Sequence, residues 1–143
     1  MKAVVDTNVL VSGLLKPYSH PGAIVRLLAG GHIQLVYDAR IIAEYREVLY
    51  RPLFGFKPTE IESLLDYVKD AGLAVATTPL SARLPDADDE PFLEAALAEA
   101  GAVIVTGNQK HFPSELCSGV QVFSPVDFTS YFQEQIMKTP DLP

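Results

Sequence analysis

Short continuous apolar runs alternate along the chain with stretches whose apolar residues recur every three or four positions. The runs 3–6 (AVVD), 33–37 (IQLVY), 73–77 (LAVAT), 102–106 (AVIVT) and 120–123 (VQVF) predict five buried strands. Between them the spacing predicts helices. One covers 7–15, with Thr7 or Asn8 as its N-cap; a second runs from Pro21 to Leu28 and ends at Gly30-Gly31. A third covers 39–50, capped by Asp38 and stopped before Pro52. A fourth opens at Thr59 and closes at Gly72, a fifth runs from Pro91 to Gly101, and a last one follows Ser124 or Pro125. Loops rich in breakers join them: KPYSHPG (16–22), RPLFGFKP (51–58), PLSARLPDADDEP (79–91) and GNQKHFPSELCSG (107–119). The segment from about 134 to 143 is expected to fray.

Strands that are apolar throughout need cover on both faces, and helices between them supply it. The expected fold is α/β: a three-layer α/β/α sandwich around a mostly parallel sheet of four to five strands, in a single domain over 1–143. In such sheets ligands bind beyond the carboxyl ends of the strands.

The 143 residues are 48% apolar, which supports a real core and excludes a disordered chain. The longest apolar runs fall short of a membrane span, and Asp6 interrupts the early apolar segment, a poor secretory signal. A cytoplasmic protein is expected. Cys117 is the one cysteine, so no internal disulfide forms, and three scattered histidines make no zinc cluster. The net charge of −7 does not favour nucleic acid, yet Lys16, Arg26, Arg40, Arg46, Arg51 and Lys57 lie in the first 57 positions. A basic half-surface can coexist with a negative total.

Four features place oxygen ligands near the carboxyl edge of the sheet. Asp6 ends the first strand and is the only acid before Asp38. Glu44 falls at the edge of the helical stripe Ile41, Ile42, Tyr45, Val48, Leu49, while Glu47 faces away. Asp86, Asp88, Asp89 and Glu90 put four acids in five residues, more than one helix cap requires. Thr106, Gly107 and Asn108 leave the clearest strand by a sharp turn. Hard oxygens without clustered Cys or His select Mg²⁺ or Mn²⁺, which suit phosphodiester chemistry. Glycine-rich phosphate loops and GxSxG are absent from the sequence.

With VVDTNVLVSGLL, an acid on an early helix, PDADDEPFLEAAL and then VIVTGN followed by KHFP, the chain resembles the PIN domain family over roughly positions 2 to 132. Within it the chain is similar to VapC-like toxin components of bacterial toxin–antitoxin systems. The resemblance implies a Mg²⁺- or Mn²⁺-dependent ribonuclease, a homodimer and a partner antitoxin. It makes Asp6 the first family acid, Glu44 the second, and Asp89, with Asp88 next, the third. Asn8 and Thr106 match supporting positions. The fourth position is often Asp in the family and is Asn108 here, an amide that can ligate but brings no charge. The expected metal ligands are therefore Asp6, Glu44, Asp89 and Asn108, with Asp88 nearby. Lys16, His20, Arg46, Arg51, Lys110 and His111 are candidate contacts to an RNA backbone. Exposed Leu53, Phe54 and Phe56 are candidate dimer contacts or core.

A non-catalytic module that binds metal, antitoxin or RNA is the alternative. A receiver-type phosphoacceptor fits less well, because it needs its acceptor Asp at the end of a middle strand, and Asp38 is better explained as a helix cap.

Overall fold

The computed structural model describes residues 1–138. Strands β1 (Lys2–Val5), β2 (Gln34–Tyr37), β3 (Leu73–Ala74), β4 (Val103–Val105) and β5 (Val122–Phe123) form one sheet in the order β3-β2-β1-β4-β5. Every pairing is parallel, with Ala3 opposite Val103 and Val5 opposite Val105 at the centre. The connecting helices are α1 (Thr7–Leu15), α2 (His20–Ala29), α3 (Ala39–Leu49), α4 (Pro58–Ala71), α5 (Glu90–Ala98) and α6 (Pro125–Met137). The expected α/β architecture is the one found, and its sheet has five strands.

The central strands carry the core. Ala3, Val4, Val36, Ile104 and Val105 are fully enclosed, as all-apolar parallel strands require. Helix α5 packs on β1, β2 and β4, whereas α2 packs against both α1 and α6. The α1–α2 crossing is tight. A Cβ at Gly13 would stand 2.5 Å from Pro21 O and 2.6 Å from Val25 Cγ2, so only glycine lets the two backbones approach so closely.

Several boundaries differ from expectation. The edge strands β3 and β5 keep only two residues each; beyond Ala74 one further ladder bond, Val75 N–H to Tyr37 O at 2.9 Å, precedes the departure of the chain toward α5. Helix α2 begins at His20 because the Ser19 hydroxyl accepts from Gly22 N–H at 3.1 Å. Helix α4 begins at Pro58 rather than at a Thr59 cap, since proline's fixed φ suits a first helical position. Helix α5 starts at Glu90, one residue before Pro91. Asp38 does cap α3, accepting from Arg40 and Ile41 N–H, and this removes the basis for the receiver alternative. Phe54 and Phe56 stack at 5.9 Å and pack against the core, leaving Leu53 exposed. Helix α6 continues through Met137; of the tail expected to fray, 139–143 lie outside the described residues.

Gly13→Ala is expected to force α1 and α2 apart and to lower stability by about 1–3 kcal/mol, the usual cost of overpacking. Urea titration should show a lower midpoint with an unchanged slope, while exposed Ser12→Ala on the same helix stays within about 0.5 kcal/mol.

Candidate metal centre

The strand order reverses between β1 and β4, and the crevice beyond a reversal is where open α/β sheets bind ligands. Asp6 and Thr106 leave the sheet there side by side. Asp6 N–H completes the ladder to Val105 O at 2.9 Å, and its Oδ2 accepts from the Thr106 hydroxyl at 2.7 Å. Thr106 is fully buried and Asp6 is 6% exposed. Asp6 occupies the N-cap position of α1 with extended backbone, but its side chain makes no capping bond.

Thr7 and Asn8 do not cap α1 either. Thr7 is its first residue, and its hydroxyl donates to Glu44 Oε2. Asn8 Oδ1 accepts from Gly107 N–H at 3.2 Å, which ties the turn after β4 to α1. Both side chains brace the site because the backbone geometry hands the cap position to Asp6. Glu44 is half-buried at the boundary of the α3 stripe, in an open cleft with Asp6, Thr7, Val48 and Phe54. Tyr45, fully enclosed, donates to Val5 O and locks α3 against the end of β1.

The four acids before α5 have separate tasks. Asp86 Oδ1 accepts from Asp88 N–H at 2.9 Å and caps the 3-10 turn Ala87–Asp89. Glu90 is buried and holds Leu84 N–H at 3.0 Å and Arg83 at 2.9 Å, pinning the preceding loop. Asp88 is exposed on the Glu44 side, where its charge adds to that of Asp6. Asp89, 9% exposed, points inward toward Asp6 and His111. Its Oδ2 is out of solvent and has no hydrogen-bond partner. His111 Nδ1 lies 2.8 Å from that oxygen, close enough for a charge contact but not aligned as a hydrogen bond.

Electrostatics confirm the crowding. Burial raises the pKa of Asp6, opposed by the Thr106 hydroxyl, the Thr7 backbone N–H and the His111 charge. Burial also raises Glu44, reinforced by the charges of Asp6, Asp88 and Glu47 and opposed by Thr7. Asp89 is pushed up to about 6, by burial first and then by the charge of Asp6, against the pull of His111. Among the described residues, the one trio whose ligand atoms all fall within 4.8 Å is Asp86, Asp89 and His111. Asp6 and Glu44 couple to one another, and Asp6 to Asp89, through their charges.

Asn108 turns its amide to His111, Nδ2 standing 2.9 Å from Nε2, while its backbone N–H donates to the Thr106 hydroxyl at 3.0 Å. Arg46 is engaged with Glu62 at 3.1 Å and Arg51 with Glu47 at 3.0 Å, so both candidate RNA contacts are already in ion pairs. Lys16 and Lys110 are exposed, and His20 Nδ1 lies 3.2 Å from Thr129 Oγ1.

A family model for the PIN domain matches residues 2–110. The chain belongs to the PIN domain family. A search of curated proteins finds no match. PIN domains are generally metal-dependent nucleases, and the acids of this one lie at the crevice where the sheet order reverses. Its donor set fits a divalent cation: raised carboxyl pKa values, and an enclosed carboxylate oxygen that has a charge contact with His111 but no aligned hydrogen bond, are what a cation between the groups relieves. From sequence, His111 is a candidate RNA contact and Thr7 or Asn8 a helix cap; the structure puts His111 against Asp89 and Thr7 against Glu44. The signals were the three-residue spacing from Asn108 to His111 across a single turn, and the lone Thr7 following a strand-end acid.

A carboxyl with a raised folded-state pKa binds its proton more tightly folded than unfolded. Its contribution to stability is full below its ordinary value of 3.8 and is lost as pH rises to about 6. In EDTA, thermal stability should therefore fall as pH rises from about 4 to about 6. Asp89→Asn should flatten that slope and stabilise the metal-free PIN domain at pH 7 by about 1–3 kcal/mol, measured by thermal and urea melts.

Proposed function

We propose that this PIN domain is a metal-dependent endoribonuclease that hydrolyses RNA phosphodiester bonds. The observation that carries the reading is the enclosed oxygen of Asp89, which accepts no aligned hydrogen bond and lies in the field of Asp6 at the sheet reversal. Asp6, Glu44 and Asp89 would hold Mg²⁺ or Mn²⁺, with Asp88 and Asn108 close by. Such an ion, when bound, lowers the pKa of water and offsets charge on a phosphoryl oxygen.

The chain's own residues prepare that chemistry. The Thr106 hydroxyl fixes Asp6, and the Thr7 hydroxyl fixes Glu44, so neither carboxylate has to be oriented when substrate arrives. Glu44, half-buried in an open cleft, is the carboxylate placed to accept a proton from attacking water. Exposed Lys16 and Lys110, with His20, are the side chains offered to the RNA backbone; Arg46 and Arg51 are committed to acids. We further propose a toxin role with an antitoxin partner and a homodimer in the cytoplasm, on the resemblance of the VVDTNVLVSGLL and VIVTGN segments to VapC-like proteins. Among the described residues, no helix is long and apolar enough to cross a membrane.

Purified protein incubated with varied single-stranded RNAs should cleave in Mn²⁺ or Mg²⁺ and stop in EDTA. Asp6→Asn and Glu44→Gln should each lower the rate by roughly a hundredfold or more, the scale of several kcal/mol of charge stabilisation. Cleavage that persists unchanged in both variants would overturn the assignment. Binding of metal and RNA without any cleavage would favour the non-catalytic module, to which the uncharged Asn108 points.

A further inference from the structure

We propose that His111 Nδ1 is itself a ligand of the divalent ion, with Asn108 as its positioning residue. The inference rests on the metal-centre reading above and changes the composition of that centre. An imidazole nitrogen would then stand where a fourth carboxylate is expected.

Three observations converge. First, Asp86, Asp89 and His111 bring their ligand atoms within 4.8 Å of one another, and Asp89 Oδ2 in this trio is enclosed and lacks a hydrogen-bond partner. An enclosed carboxylate oxygen in that state is costly unless a cation shares it. Second, His111 Nδ1 approaches that oxygen to 2.8 Å without hydrogen-bond alignment. Two adjacent ligands of a six-coordinate ion, each about 2.1 Å from it, sit about 3 Å apart, with their lone pairs aimed at the ion and not at each other. Third, the far side of the ring is held. His111 Nε2 lies 2.9 Å from the Asn108 amide, whose two ends have the same outline. In the structure the amide nitrogen faces Nε2; ligation through Nδ1 requires the amide turned over, so that its oxygen accepts Nε2–H and Nδ1 is left bare toward Asp89. A ligating histidine is ordinarily fixed in this way through its other nitrogen.

The Asn108 backbone is anchored in turn by the Thr106 hydroxyl, the same group that holds Asp6. Thr106 thus connects the carboxylate and imidazole sides of the centre. The uncharged Asn108 becomes intelligible, because an amide can orient the ring where a carboxylate would compete for the ion. A nitrogen ligand among oxygens shifts preference from Mg²⁺ toward Mn²⁺.

The test reads the metal and not RNA cleavage. The full chain is loaded with Mn²⁺, its affinity is measured by electron paramagnetic resonance titration, and pulsed measurements look for ¹⁴N coupling to the ion. Directly bound imidazole nitrogen should appear in the parent protein and in His20→Gln and His32→Gln. It should vanish in His111→Gln, with Mn²⁺ affinity about tenfold or more weaker and Mg²⁺ affinity less affected. Asn108→Leu should keep the coupling and weaken Mn²⁺ by about tenfold. Mn²⁺ bound in the parent without ¹⁴N coupling, or coupling that survives in His111→Gln, overturns the His111 assignment alone. No Mn²⁺ binding at all overturns the metal centre with it. The parent spectrum decides even if a variant does not fold.

Discussion

Asp6 and Asp89 are buried carboxylates that repel one another, and Asp6 in turn repels the half-buried Glu44; this chain of like charges is the constraint on which the site depends. Left alone, such a group would separate or stay protonated. Each is instead restrained by a group from a different element. Thr106 at the end of β4 holds Asp6, Thr7 at the start of α1 holds Glu44, and His111 beyond the turn after β4 faces Asp89. The hydroxyls and imidazole oppose the rise in pKa that burial causes, so each acid is held in place by the group that counters its desolvation.

Keeping the acids in place also takes structure outside the crevice. Two buried glutamates on α5 act as struts. Glu90 holds the backbone at Leu84, and Glu94, with Arg40 at 2.7 Å and Leu80 N–H at 3.3 Å, fastens the long loop before α5. Arg40 also bonds Asp38, the cap of α3, so α3 and α5 are joined through one guanidinium. Helix α3 carries Glu44 to the crevice, and Asp89 stands in the turn immediately before α5. The rigidity of the site therefore comes from polar ties at the top of the sheet as much as from the apolar core beneath.

The fold was legible because parallel strands enclosed on both faces read as unbroken apolar runs, and VVDTN and VIVTGN mark where two of them end. Strand ends pointed to Asp6 and Thr106 and helical spacing to Glu44, whereas Asp89 was singled out of its acid run by the family resemblance. What the sequence could not convey was the direction of short polar side chains. Thr7, Asn8 and Asp6 are all competent caps, and which one takes the cap position depends on the backbone leaving β1. The acid run before α5 looked like one feature because charge is counted locally. Its members in fact answer to a turn, a loop, a cleft and a histidine. His111 was obscured for the same reason: its partner, Asp89, is distant in sequence.

The bond between Thr106 and Asp6 spans 100 positions of sequence. A nascent chain that has emerged only as far as α5 already contains Asp6, Glu44 and Asp89, but has no β4 beside β1, no hydroxyl for Asp6 and no imidazole for Asp89. The acids are made early and the centre late. Assembly of the centre thus waits on β4 and the turn after it, and a chain that stops short of them carries the charges of a PIN domain without the place to use them.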